Sequence, residues 1–323
     1  MAQSTQPQLV VGIGELLWDL LPSGPRLGGT VSNFAVMAGR LGSRAVCASR
    51  VGADDLGRRA RADLSGLPLD TAHLQTDSLH PTGTVGVRLK DGQPQYTFEE
   101  PVAWDYLDLS DDWLRLAAGA AAVCFGTLAQ RNPHSRQTIE GFLAATPVQC
   151  VRVFDVNLRP PFYSAEVIER SLRRTTVLKM NDSEMPLMLD LLGIGGGGDL
   201  TEESLLAGAS QLLARFPLDL VCVTMGGSGS LLLRKEQVDR HAGIPIQVVD
   251  TVGAGDAFTA ALTHYYLRNA PLAVINDAGN RWGSWVASQA GAMPPLDPAT
   301  RDSITTAIGW DISTEGQAGG SAE

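Results

Sequence analysis

The chain has 323 residues, 44% of them hydrophobic and 19% charged, with a formal net charge of −10. That length holds one large α/β domain or two ordinary ones, with a composition typical of soluble globular proteins. The acidic balance argues against a nucleic-acid partner, no stretch approaches the ~20 apolar residues of a membrane span, and polar Met1–Gln8 lacks a secretory pattern, so the expected address is the cytoplasm.

Leu9–Ile13 reads as the first buried strand, and Gly12-Ile13-Gly14 opens what could be a dinucleotide fingerprint. Leu17 stands where the third glycine of G-x-G-x-x-G belongs, so that reading fails. A Walker-type NTPase fails too, because no G-x-x-x-x-G-K-[ST] occurs. Further strand-like runs are Ala45–Ser49, Ala121–Phe125, Cys150–Phe154, Val177–Met180, Leu220–Val223 and Leu231–Leu233. Their alternation with helical stretches predicts a mostly parallel central sheet with helices on both faces, in a single domain over residues 1–310. Ligands of such sheets bind beyond the carboxyl ends of the strands. Glu15, Asn157, Asn181, Thr224 and Asp256 all fall at or just after such an end.

One segment breaks the pattern. Thr84–Leu89 alternates with period two, Asp91-Gly92 supplies a hairpin-type turn, and Gln95–Phe98 follows. This predicts a small β-ribbon apart from the main sheet, joined by the segment around Leu16–Leu21. A lone hairpin is marginally stable, which favours pairing with a second copy and hence a homodimer. Gly193–Asp199 is expected to be a flexible surface loop, and the small polar tail over 311–323 to be disordered. Cys47, Cys124, Cys150 and Cys222 form no C-x-x-C pair and read as buried free thiols. His264 lies eight residues after Asp256 on one helix, about 12 Å along the axis and too far for a dyad.

The most informative stretch is Asp250-Thr251-Val252-Gly253-Ala254-Gly255-Asp256-Ala257-Phe258. The apolar run Ile244–Val249 leads into it as a strand, and a small-residue helix, Ala257–Arg268, follows. Glycines bring backbone N–H groups close to a ligand, and at a helix N-terminus those groups suit a phosphate. Asp256 is a carboxylate beside that anion hole. A cradle plus an adjacent base is what moving a phosphoryl group onto a hydroxyl requires. The helix-start position is expected to keep Asp256 ionised at neutral pH.

This run resembles the C-terminal signature D-T-x-G-A-G-D-x-F of the PfkB (ribokinase-like) carbohydrate kinases, at all seven fixed positions. The stretch from Gly28-Gly29 through Asn33 and Ala35 to Ala38-Gly39-Arg40-Leu41-Gly42 is similar to the family's first signature. Arg50–Gly57, Asp155–Pro160, Lys179–Glu184 and Thr224–Gly229 follow in the family's order, so the resemblance covers about Val10 to Pro294. It implies a three-layer α/β/α fold with a β-ribbon lid over the sugar, built from segments about 15–30 and 81–105 and often shared across a dimer.

Roles follow from the same resemblance. Asp256 would be the general base, with Gly253, Ala254 and Gly255 forming the anion hole. Asp19, Gly28, Gly29 and Asn33 would contact the sugar, since a carboxylate and an amide suit vicinal hydroxyls. Arg159, from D-x-N-x-R, would lie near the phosphates or sugar. Asn181 and Glu184 match N-x-x-E, which organises Mg²⁺ and the ATP phosphates through water; their spacing is also that of a capping box. Thr224, Gly226 and Gly229 would line the nucleotide, with Asn280 near the adenine. A K⁺ site is implied at the Asp250 carboxylate and the carbonyls of Val252, Val286, Gln289 and Gly291. Pro295 stands where some members have a serine ligand.

The Gly14-Glu15 start, Phe125–Ala129, Asp155–Pro160 and Glu100–Asp105 look like the fructokinase branch, which implies D-fructose as the acceptor. Ribose, a 2-keto-3-deoxy acid, a nucleoside and a non-catalytic sugar-binding regulator stay open. An acidic sugar would ask for extra cations, for which Arg131 and Arg159 are available.

Overall fold

The computed structural model of the chain describes residues 7–22, 24–90, 93–195 and 200–310. The chain runs through β1 (Leu9–Ile13), β2 (Leu17–Leu21), β3 (Gly24–Gly28), α1 (Thr30–Arg40), β4 (Arg44–Gly52), α2 (Asp55–Ser65) and β5 (Leu74–Asp77). Then come β6 (Gly83–Lys90), β7 (Gln93–Phe98), α3 (Asp111–Gly119), β8 (Ala122–Phe125), α4 (Pro133–Ala144), β9 (Val151–Asp155) and α5 (Ala165–Leu172). Next are β10 (Val177–Asn181), α6 (Glu184–Leu191), α7 (Glu202–Arg215), β11 (Leu220–Thr224), β12 (Ser230–Arg234) and β13 (Gln237–His241). The last described elements are α8 (Ala254–Tyr266), α9 (Leu272–Ala287) and α10 (Pro298–Ile308).

Nine strands form the central sheet in the order β13-β12-β11-β10-β9-β8-β1-β4-β5. From β11 through β5 every pairing is parallel, and β12 and β13 close one edge as an antiparallel hairpin. Side chains of a strand alternate between faces, so each strand feeds two cores. Val11 and Ile13 of β1 pack with Trp113, Phe142, Ile168 and Met188 from α3 to α6. Val10, their neighbour, joins Phe34 of α1, Phe258 of α8 and Trp282 of α9 on the other face. That second layer is therefore built from both ends of the chain. All four cysteines are buried and free, as expected. Among the described residues, no helix is long and apolar enough to cross a membrane.

The expected ribbon is present and separate from the central sheet. It is a four-stranded sheet, β3-β2-β6-β7, in which β2 pairs parallel to β6 and antiparallel to β3. The proposed Asp91-Gly92 turn, most of the Gly193–Asp199 loop and the tail beyond residue 310 lie outside the described residues. One strand assignment is wrong. Residues 244–249 are not a strand: the last sheet edge ends at His241, Pro245 offers no N–H to a ladder, and Ile246, Val248 and Val249 are exposed. Asp256 consequently follows a loop rather than a strand end, and its helix starts at Ala254, three residues before the expected Ala257.

Helix starts separate into two kinds. α2, α3, α4, α5, α7 and α10 each begin with a Ser, Thr, Asp or Asn side chain accepting a backbone N–H. α1 and α8 begin on glycines in positive φ, Gly29 at 112° and Gly253 at 79°, with no capping side chain on either. Close packing sets α1 against the sheet. A Cβ placed on Gly12 of β1 would stand 2.2 Å from the Val31 carbonyl oxygen, a backbone atom that cannot rotate away. Gly12→Ala is therefore expected to destabilise the protein by ~1–3 kcal/mol, the usual cost of overpacking. Thermal unfolding checks this, and an unchanged Tm would mean that α1 is not pressed on β1.

Candidate active site

The site is assembled at the carboxyl edge of the sheet, where the first turns of α1 and α8 meet. The Asn33 amide on α1 donates to Asp256 Oδ2 on α8 at 2.7 Å, joining residues 223 positions apart in sequence. Asn33, expected to touch the sugar, is thus the immediate partner of the expected base. Its own Oδ1 is buried without a partner, so the amide keeps an acceptor to offer.

Around this pair the expected sugar-side residues converge. Gly29 cannot carry a side chain, because a Cβ there would lie 2.4 Å from the Glu15 carbonyl oxygen. A Cβ on Gly28 would stand 2.7 Å from Asp19 Oδ2, which puts the Asp19 carboxylate on that backbone. The close approach forecast for this glycine pair is thus made to other protein groups. Glu15 is buried; its Oε1 accepts from Thr30 N–H at 3.2 Å, serving the start of α1 from a distance, while Oε2 has no partner. Asn157, in the left-handed region at φ 40°, donates to Thr30 Oγ1 at 2.5 Å. Arg159 lies close enough to lower the pKa of both Glu15 and Asp19, yet burial outweighs it and raises both carboxyls above their ordinary range. Arg159 forms no ion pair among the described residues, so its charge is still available to a ligand.

Asp256 departs from expectation. Burial, aided by the nearby Asp155 carboxylate, pushes its pKa up to about 7; the Asn33 hydrogen bond and the Lys179 ammonium act in the opposite sense, and Glu15 adds to the rise. The helix start alone does not keep it ionised. The residue is half-buried.

Behind the turn sits a group that sequence reasoning did not single out. Lys179 of β10 is buried, and its Nζ donates to both oxygens of Asp155 at 3.0 Å. Thr259 of α8 donates to Asp155 Oδ2 at 3.0 Å. A Cβ on Gly255 would meet Lys179 Nζ at 3.0 Å, so the ammonium lies against the underside of the anion-hole turn. A charged residue inside the apolar run Val177–Met180 was the signal available in the sequence.

The expected nucleotide residues lie along β10 and β11. Asn181 and Glu184 form the reciprocal capping pair: Asn181 Oδ1 accepts from Glu184 N–H at 2.9 Å and Glu184 Oε2 accepts from Asn181 N–H at 2.8 Å. Glu184 Oε1 accepts from Leu158 N–H at 2.8 Å, so both oxygens are anchored, each with a lone pair left for a water on a metal ion. Thr224 ends β11, and its hydroxyl donates to the Met180 carbonyl at 3.3 Å. Gly226 takes φ 53°, and a Cβ on it or on Gly227 would meet nothing within 4 Å, which leaves the loop open to a ligand. Gly229 is held by packing instead, since a Cβ would stand 2.0 Å from the His241 carbonyl oxygen. The donor set fits a nucleoside triphosphate with Mg²⁺: uncapped N–H groups at α8, a cation behind them, an anchored carboxylate and an open glycine loop.

Other assignments are placed elsewhere. Asn280 is buried in a network, its amide donating to Ser230 Oγ at 2.7 Å and to the Asn276 carbonyl at 2.9 Å. Asp250 accepts from Val252 N–H and Gly291 N–H at 3.0 Å each, and Arg26 of β3 pairs with it at 3.4 Å. The Val286 carbonyl accepts from Gln289 N–H at 2.9 Å. Arg131 is not a spare cation for an acidic sugar. Asp105 neutralises it through two contacts of 2.8 Å, and its guanidinium is stacked between Trp104 and Phe162. His264 is a core histidine, its pKa lowered to about 3 by burial and by Arg268.

Comparison with known proteins agrees with this geometry. Residues 25–299 match the family described as pfkB family carbohydrate kinase. A fructokinase of Salmonella typhimurium is 32% identical over 263 residues, covering 77% of this chain and 81% of that one. A fructokinase of Escherichia coli is 27% identical over 309 residues, covering 88% and 94%. The crystal structure of an uncharacterized sugar kinase from Pyrococcus horikoshii in complex with ATP superposes with a TM-score of 0.75 at 26% identity, over 88% of this chain and 94% of that one. The chain belongs to the pfkB family of carbohydrate kinases and is an ATP-dependent sugar kinase.

Proposed function

We propose that the chain phosphorylates D-fructose at its 6-hydroxyl, with Asp256 as the general base. The observation that carries this reading is the hydrogen bond from Asn33 that sets the Asp256 carboxylate in the first turn of α8, a helix with no capping side chain. In the reaction the hydroxyl oxygen bonds to the γ-phosphorus, the bond from that phosphorus to the β–γ bridging oxygen breaks, and ADP leaves. The hydroxyl proton passes to Asp256. Gly253 and Gly255 offer backbone N–H groups to the γ-phosphate oxygens, whereas the Ala254 N–H, expected to join them, donates to the Thr251 carbonyl at 3.2 Å; Thr224 and Gly226 border the nucleotide. Asp19, Asn33 and Arg159 orient the sugar. Mg²⁺, held through water by Glu184 and Asn181, would neutralise the triphosphate charge.

Charge favours a neutral sugar. Glu15, Asp19 and Asp256 gather on the sugar side of this reading, and Arg159 is the one cation near them that forms no ion pair among the described residues. A substrate carboxylate would face repulsion from three acids for one attraction. The relatives named fructokinase point the same way. ADP release measured across fructose, other hexoses, ribose, a 2-keto-3-deoxy acid and nucleosides is expected to give the highest kcat/KM with fructose. Preference for the acid would overturn the charge argument, and turnover with a nucleoside alone would overturn the sugar.

Asp256→Asn is expected to cut kcat by ~10²–10⁴ while ATP binding changes little. Retention of the native kcat would remove Asp256 as the base. A base must be deprotonated to act, so with its pKa near 7 the native kcat/KM is expected to fall on the acid side of about pH 7. The stability sign is opposite. A raised folded-state pKa means that the native state holds a proton that the unfolded chain has lost, so native stability falls as pH rises from about 4 to about 7. Asp256→Asn is therefore expected to gain most in Tm over the native chain above that range.

Two titrations read the ions. Glu184→Gln is expected to raise the Mg²⁺ needed for half-maximal rate, and an unchanged curve would reduce Glu184 to a capping residue. K⁺ is expected to activate only weakly relative to a bulky organic cation at matched ionic strength, because Arg26 already faces the Asp250 carboxylate. Equal rates would remove the K⁺ site.

A further inference from the structure

The buried pair Lys179–Asp155 has a placement that packing does not explain. Side chains at these positions are 9% and 1% exposed, at the centre of a sheet whose neighbouring strands are apolar. Removing two charges from water costs more than their attraction reliably returns, and apolar residues of like volume usually serve stability as well or better. The pair also grips one element in particular. Thr259 shares its one hydroxyl proton between Asp155 Oδ2 at 3.0 Å and the Gly255 carbonyl at 2.9 Å, and a Cβ on Gly255 would stand 3.0 Å from the ammonium.

We propose that Lys179, fixed by Asp155 and Thr259, is a positioning residue that supplies the positive charge behind the anion hole and sets the working charge of Asp256. The proposal rests on the reading of the α8 turn as the γ-phosphate site. A cation fixed in a low-dielectric interior costs no reorganisation when negative charge shifts during phosphoryl transfer, and it adds to the field of the α8 N-terminus. It also replaces what this acidic chain lacks on its surface, a general positive potential. Gly255 also leaves the ammonium its room, since a Cβ there would press on Lys179 Nζ at 3.0 Å.

Asp256 is faced by Asn33 from α1, Glu15 beyond β1, the Cys124 thiol of β8, Asp155 of β9 and Lys179 of β10, and Glu184 of α6 acts on Lys179 from its other side. Burial opposes the Lys179 ammonium, but Asp155, Glu184 and Asp256 outweigh it and hold its pKa above the ordinary value, so it stays charged throughout the working range. Asp155 and Lys179 therefore act on Asp256 with opposite signs.

That opposition is the test. Asp155→Asn is expected to move the acid limb of kcat/KM to lower pH, and Lys179→Gln to move it to higher pH. The apolar double variant Lys179→Met/Asp155→Leu is expected to keep the native Tm or exceed it, yet to lose kcat by ~10²-fold, the scale of one lost oxyanion donor. Limbs that shift together or stay fixed, or a folded double variant with kcat within about threefold of native, would overturn the proposal and leave the pair structural. If the double variant does not fold, the single-variant limbs decide alone. A native protein that turns over no sugar would instead defeat the kinase reading, before the pair is tested at all.

Discussion

Two helices from opposite ends of the chain, α1 and α8, lie side by side on one face of the sheet and open at the same edge. Every part of the candidate site depends on that juxtaposition. The shared layer of Phe34, Phe258 and Trp282 holds them there, and the 2.7 Å contact from Asn33 to Asp256 is its polar end. Both helices start on glycine and carry no capping side chain of their own; Thr30 N–H of α1 goes to Glu15 and Ala254 N–H of α8 to the Thr251 carbonyl, and the remaining first-turn N–H groups of α8 lack side-chain acceptors. Local stability is forgone at the two helix starts where a ligand can supply the missing acceptors.

The electrostatic problem follows from this geometry. A chain of net charge −10 has to receive a polyanion at an edge that already holds Glu15, Asp19, Asp155, Glu184 and Asp256. Its answer is local. Asp155 is paired with an internal ammonium, the Glu184 carboxylate is anchored by two backbone N–H groups, and burial raises the pKa of Glu15, Asp19 and Asp256. Near neutral pH, Asp256, with its pKa pushed up to about 7, therefore carries only part of its charge.

How far the fold could be read from sequence depended on where its information lay. Parallel strands such as Val177–Asn181 are buried on both faces, and a run of apolar residues suffices to find them. β3, Gly24-Pro25-Arg26-Leu27-Gly28, reads as a turn by composition; only pairing with β2 makes it a strand. Ile244–Val249 fails the other way, with strand-like residues that no sheet edge takes up. At the site, motif order brought Asn33 and Asp256 to one place, but not to one hydrogen bond. The acidity of Asp256 was misread because it comes from burial and from Asp155, both created only when β9 and α8 are packed together. Lys179 was visible as a charge in an apolar strand, yet its partner Asp155 is 24 residues away and meets it only through sheet register.

The separate β-sheet extends the same logic to water exclusion. A lid made from the central sheet would have to break parallel pairings in order to move, whereas β2, β3, β6 and β7 share no ladder with the nine strands. They are tied to the rest of the fold by side chains instead. Trp18 on β2 donates to the Leu56 carbonyl at 3.1 Å, and Arg26 on β3 reaches Asp250 just before the turn that opens α8. Arg131 anchors the far end of the ribbon, donating to the Glu99 carbonyl at 2.7 Å while Asp105 holds it in place. Leu17, Trp18 and Val85 of this sheet are buried in the apolar core as well, so its inner strands β2 and β6 are fixed by packing and not by polar contacts alone.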